Sequence, residues 1–173
     1  YSSPEDVYYA DAEELALTEG LTPGQAQLLS DKSLTRADRI LADCARGDIF
    51  LLTMQDAAYP ARLRDIFDPP VLLYGKGSLP LFDEEAAIAV VGTRSCTPYG
   101  LRCAHRMGYE LARQGAVVVS GMAKGIDGAA MRGALQAGGF TAAVLGGGVD
   151  VVYPAENRRL YEDIAATGVL LSE

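Results

Sequence analysis

Arg94 and Lys124 stand in two short glycine-containing stretches, VVGTR and SGMAKGID, each directly after an apolar run. A third apolar run ends in Gly146-Gly147-Gly148. Glycine lets a backbone approach an anion closely, a guanidinium can grip a phosphate with two hydrogen bonds, and an ammonium acts as a mobile point charge. These residue types in this pattern point to the binding of an anion, with phosphate the natural ligand. Glycines after strands also serve tight turns in any α/β fold, so each loop taken singly has a structural reading as well. Neither G-x-x-x-x-G-K-S/T nor G-x-G-x-x-G follows the first run, which weighs against an ordinary NTPase or NAD enzyme.

The carboxylates near the loops, Asp127, Asp150, Glu156 and Glu173, could be put forward as general acids or bases. Asp127 reads more simply as a helix cap and Asp150 as a turn residue. His105 is the only histidine and falls on a helix face, with no Cys-His pair to suggest a nucleophile. Cys44, Cys96 and Cys103 are odd in number and none sits in C-x-x-C, so neither a disulfide framework nor a zinc site is expected. No metal, cofactor or catalytic residue is assigned.

The elements that must position the loops follow from the spacing of the apolar runs. Runs ending near Val91, Val119 and Leu145 recur about every 26 to 28 residues, the length of one strand-helix unit. The fold class is therefore α/β, a parallel sheet with helices on both faces. Strands are expected at Ile88–Val91, Ala116–Val119, Thr141–Leu145 and Val169–Leu171. Helices are expected from Tyr99 to Gln114, from Asp127 as N-cap to Ala137, and from about Asn157 to Ala166. Leu101, Ala104, Met107, Gly108, Leu111 and Ala112 form the inward stripe of the first of these. In such a sheet the ligand crevice lies at the carboxyl ends of the strands, so all three glycine loops share one edge.

Upstream, residues 5–19 read as one acidic, alanine-rich helix. Thr22-Pro23 opens a second, and Leu34, Ala37, Ile40, Leu41 and Cys44 recur at helical spacing up to Gly47. This predicts a small three-helix domain over 1–47, followed by an α/β domain over 48–173. Ile49–Thr53 and Val71–Tyr74 read as further strands, with a short helix near Pro60 between them and Leu79–Glu85 as a connection.

The net charge of −8 is unevenly spread. Residues 1–86 hold 16 acidic side chains against 7 basic ones, whereas residues 87–173 hold 7 against 8. The acidity belongs to the N-terminal part, and the region of the loops is locally basic. No run approaches the length of a membrane span and the N-terminus has no signal-peptide pattern, so a cytoplasmic protein is expected.

VVGTR, SGMAKGID, AAMRGAL, AVLGGGVDVVYPAEN and VLLSE, in that order and spacing, resemble the DprA/Smf family (DNA-processing protein A). The helical region and YPARLRDIFDPPVLLYGKG are similar to the same family's N-terminal part. The resemblance implies an extended Rossmann-like domain preceded by a SAM-like helical domain. It implies sequence-tolerant binding of single-stranded DNA, protection of incoming DNA during natural transformation, loading of the recombinase RecA, and a homodimer when full length. Carried over by position, Arg94 and Lys124 are the expected phosphate contacts, and the backbone of Gly92, Thr93, Ser120, Gly121 and Gly125 shapes the pocket. Gly146 and Gly148 of the third loop, and Asn157 and Arg158 of the YPAEN-RR stretch, complete the candidate DNA-binding set. For Arg158 and Arg159 a solvated surface remains an equal alternative. Tyr99 and Tyr153 flank the loops and could stack on bases, with packing roles also open.

Two departures stand out. Met131 occupies a position where the family commonly has His, which a packing role would tolerate. The family sequence also continues beyond LLSE, so the chain is expected to be a fragment. Two other readings stay open: a phosphoribohydrolase-like nucleotide enzyme, whose PGG-x-G-T loop LGGGVDVVYPAEN does not match, and a nucleotide-sensing protein acting through partners.

Overall fold

In the computed structural model, which describes residues 1–173, the chain divides into two compact units, Tyr1–Asp43 and Cys44–Glu173. The first is built from short capped helices. In α1 (Pro4–Tyr9) the Ser3 hydroxyl accepts from the Asp6 N–H, and in α2 (Ala12–Leu17) the Asp11 carboxylate accepts from the Glu14 N–H at 2.8 Å. The stretch 5–19 is therefore two helices rather than one. Ala10 turns extended, and Asp11 satisfies an orphan N–H of a new first turn. Thr22 and Gln25 form a reciprocal capping box at the start of α3 (Pro23–Ser30). The small core is Ala10, Leu15 and Ala26, and the division between units falls within α4 (Thr35–Gly47).

The second unit carries one six-stranded sheet. Its elements are β1 (Phe50–Thr53), α5 (Ala61–Arg64), β2 (Leu72–Gly77), β3 (Ala87–Ala89), α6 (Pro98–Arg113), β4 (Val117–Ser120), α7 (Ile126–Gln136), β5 (Thr141–Val144), α8 (Arg158–Thr167) and β6 (Val169–Ser172). The strand order is β1-β2-β6-β5-β4-β3. The four repeated strands β3 to β6 are parallel, as their spacing predicts. The sheet as a whole is mixed, because β2 runs antiparallel to both β1 and β6. Phe50 pairs with Gly75 across β1 and β2, and the Phe50 ring fills the place a Gly75 side chain would take.

Side-chain alternation divides the packing. Val118 faces Ala112 of α6 and Ala134 of α7, while Val117 packs with Ala142, Val169, Leu79 and Phe82 in a separate cluster. The helices are shared unequally: α6, α7 and α8 pack on one set of sheet residues. The opposite set is covered by the 79–86 connection and, over β1 and β2, by Tyr59 and Leu63 of the α5 region. Met122, Met131, Leu160, Ile164 and Leu170 form the centre of the α7–α8 layer. Burying each such side chain stabilises the fold by about 1.5–3 kcal/mol. Met131 is thus a core residue.

α6 and α7 meet almost backbone to backbone. A side chain at Gly108 would drive into the Ala130 carbonyl, and one at Gly133 into that of His105. The buried stripe of α6 is Ala104, Gly108 and Ala112. Leu101 and Met107, expected to face inward, are 40% and 55% exposed. The helices approach too closely for large side chains to lie between them, so the small residues carry the contact and the larger ones are displaced to its margins.

Candidate nucleic-acid interface

The first loop leaves β3 at Val90, whose N–H still donates to Val119 O, and reaches α6 through Gly92, Thr93, Arg94 and Ser95. The Thr93 hydroxyl accepts from the Ser95 N–H at 3.2 Å, which holds the turn, and Thr97 caps α6 by accepting from the Gly100 N–H. The second loop runs from Gly121 to Gly125. Two residues in it adopt left-handed backbone, Met122 (φ 55°) and Gly125 (φ 79°).

These two loops are stitched together. The Ser120 hydroxyl donates to Val90 O at 2.7 Å, the Ile126 N–H donates to Thr93 O, and the Gly92 N–H donates to the Asp127 carboxylate at 3.1 Å. Gly125 lies so close to the Thr93 and Arg94 carbonyls that any side chain there would collide with them. Gly92 in turn lies under the Ile126 side chain. Gly125, the residue between Lys124 and α7, thus abuts the backbone of Arg94, which brings both cation-bearing loops to one edge of the sheet.

Asp127 is not the cap of α7. Gly125 occupies the N-cap position without a side-chain bond, and Asp127 falls in the first turn, buried, with its carboxylate turned to the neighbouring loop. There it also lies favourably in the helix dipole. Ser120 is likewise buried and acts through Val90, so its hydroxyl shapes the crevice from beneath.

Lys124 projects from the second loop, with its Nζ 2.6 Å from Glu156 Oε2. The Glu156 hydrogen bond and charge hold the ammonium pKa above its ordinary value, with a smaller contribution from Tyr153. Arg94 is exposed and enters no ion pair or side-chain hydrogen bond. Arg158 and Arg159 open α8 and are exposed. Tyr99 and Tyr153 are 70% and 68% exposed, so both rings are open to solvent.

Asn157, expected to be a DNA contact, is removed from the surface. It is 1% exposed, its Nδ2 donates to Met122 O at 2.8 Å, and its Oδ1 accepts from Arg132 Nη2 at 2.8 Å. Both ends of the amide are spent on holding the second loop, and Met122 is the residue it pins in left-handed backbone. Neither the Asn157 latch nor the Asp127 and Glu156 contacts leave a local sequence signal, because their partners lie 25 or more residues away.

The third loop is separate in character. Positions 146 and 147 have open space where side chains would stand, so packing does not demand glycine there. Gly146, Gly147 and Gly148 line a cleft of about 700 Å³ together with Leu63, Ile66 and Leu171, and neither Arg94 nor Lys124 reaches it. Of the carboxylates considered for acid-base work, Asp127 and Glu156 are committed to Gly92 and Lys124, while Asp150 and Glu173 are exposed. No three His, Cys, Asp or Glu side chains are grouped to hold a metal ion, and no helix is long and apolar enough to cross a membrane.

The profile of the family described as DNA recombination-mediator protein A matches residues 50–173. DNA processing protein DprA of Bacillus subtilis is 38% identical over 135 residues, which make up 78% of this chain and 46% of that protein. DNA processing protein DprA of Streptococcus pneumoniae is 46% identical over 118 residues, covering 68% of this chain and 41% of that protein. The X-ray structure of DprA from S. pneumoniae superposes on 93% of this chain and 55% of its own, with a TM-score of 0.77 and 35% identity. A structure addressing the single-stranded DNA binding mode of DNA processing protein A from Helicobacter pylori superposes on 70% of this chain and 54% of its own, with a TM-score of 0.62 and 34% identity. The chain therefore spans less than half the length of each of these two sequence relatives.

Proposed function

The chain belongs to the DNA recombination-mediator protein A (DprA/Smf) family, and on that premise we propose that its paired glycine loops bind the phosphate backbone of single-stranded DNA without sequence readout. The observation that carries the reading is the stitching of the two loops through Gly125 and the Asp127–Gly92 bond, which fixes an exposed Arg94 and Lys124 at one sheet edge. Backbone N–H groups there supply partial positive charge, and the two side chains supply full charge. The exposed rings of Tyr99 and Tyr153 offer stacking surfaces.

The role is that of a binding protein rather than an enzyme. The bound strand is incoming DNA in natural transformation and recombination, handed on to the RecA recombinase in the cytoplasm, with the complete protein acting as a homodimer. Residues 48–173 form the DNA-binding domain, and the acidic residues 1–47 contact a protein partner rather than DNA.

Fluorescence anisotropy of a labelled single-stranded oligonucleotide, titrated with salt, tests the reading. Binding should weaken as salt rises, and Arg94→Ala and Lys124→Ala should each lower affinity and reduce the log–log salt slope by about 0.7. Affinity and slope unchanged in both variants would take the DNA out of these loops.

A further inference from the structure

The two cations of the crevice are not equivalent in the free protein. Arg94 has no side-chain partner, whereas the Lys124 ammonium is already occupied by the Glu156 carboxylate at 2.6 Å. Glu156 sits on a single 3-10 turn, Ala155–Asn157, and the last residue of that turn is the buried Asn157 that clamps Met122 of the Lys124 loop. The segment carrying the carboxylate is therefore fixed to the segment carrying the ammonium. Both side chains remain about half exposed, at 51% and 57%, so a dissolved anion can reach the pair. A carboxylate and a phosphate oxygen accept the same charge-assisted hydrogen bond from an ammonium, and one can replace the other.

Resting on the phosphate reading of these loops, we propose that Glu156 is a resident stand-in for phosphate that holds Lys124 in the unliganded protein and is displaced when a DNA strand binds. Arg94 makes the first contact, and Lys124 engages after releasing Glu156. The exchange lowers affinity twice over: the Lys124–Glu156 pair is lost, and the released carboxylate stays beside a phosphate of like charge. Glu156 thereby sets how strong an anion must be to occupy the crevice.

A double-mutant cycle read by oligonucleotide anisotropy at low salt tests this, with wild type, Glu156→Gln, Lys124→Ala and the double variant. Glu156→Gln should tighten binding about fivefold, the size of one exposed ion pair. In the Lys124→Ala background the same change should give no more than a small gain. Weaker binding by Glu156→Gln would mean that the carboxylate positions Lys124 for DNA and would overturn the proposal. An equal gain in both backgrounds would overturn it too, since Glu156 would then act by general repulsion. If Arg94→Ala and Lys124→Ala weaken binding while Glu156→Gln leaves it unchanged, the stand-in role fails and the phosphate reading survives. If neither cation matters, the phosphate reading itself fails.

Discussion

Asp127 Oδ1 accepts the backbone N–H of Gly92 at 3.1 Å, joining the first turn of α7 to the loop that follows β3. The bond spans two successive strand-helix units and, with the Ser120 hydroxyl bond to Val90 O, ties the loop of Arg94 to the unit that follows it. Asp127→Ala would leave that N–H without its partner in a partly buried place, at a cost of about 1–3 kcal/mol. Urea denaturation should show this loss, with oligonucleotide affinity falling alongside it, and Asp127→Asn should retain most of the stability because an amide oxygen can still accept.

The α6–α7 contact tolerates no added atoms. Gly108→Ala or Gly133→Ala places a methyl group against a helix carbonyl in a contact made by two backbones. Overpacking of this kind costs about 1–3 kcal/mol and more where backbone must move. A denaturation midpoint equal to that of wild type in both variants would contradict the close approach described above.

Asn157→Ala should act at a distance. It orphans the Met122 carbonyl and frees Arg132, and the left-handed Met122 loses its restraint. A destabilisation of about 1–3 kcal/mol is expected. Faster amide hydrogen exchange in residues 121–125 should accompany it, while exchange in β1 and β2 stays unchanged.

Acid should loosen the α5 region first. Asp83 accepts the Ala61 N–H at 2.8 Å, and this bond, helped by Arg62, holds its carboxyl below the ordinary value. Asp56 is held down in the same direction by the Thr53 N–H and hydroxyl. A carboxyl depressed in the folded state contributes stability above its unfolded pKa of about 3.9 and loses it as pH falls through the folded value. The melting temperature should therefore be flat above about pH 5 and fall below about pH 4. Asp56→Asn with Asp83→Asn should lower the plateau and shrink the acid drop.

How far the residues alone reach can be judged element by element. The apolar runs before Gly92, Gly121 and Gly146 mark β3, β4 and β5; β4 and β5 are largely buried and have little room for polar side chains, whereas β3 lies at the sheet edge and is mostly exposed. The same reasoning misjudges α6. A helical stripe containing Leu101 and Met107 looks like a core face, yet the contact is made by Ala104, Gly108 and Ala112. Periodicity reports which side is apolar, and says little about how near the partner will come. The antiparallel placement of β2 beside β6 has no local signature either, since it depends on a pairing between residues far apart in the chain. At the site, Arg94 and Lys124 are legible from charge and glycine spacing. Asn157 is not, because an amide reads as surface until its partners Met122 and Arg132 are seen around it.

The position of β2 bears on how the chain acquires its shape during synthesis. β4, β5 and β6 each pair with the strand made just before, but β2 pairs with β1 on one side and, on the other, with β6, which is made only after β3, β4 and β5. Until Val169–Ser172 is available, the β1–β2 pair has no edge of the main sheet to join. Closing so long a loop is entropically expensive and belongs late in folding. Nascent chains that lack β6 should therefore show a protease-sensitive segment 50–77 beside an already protected α6–α7 pair.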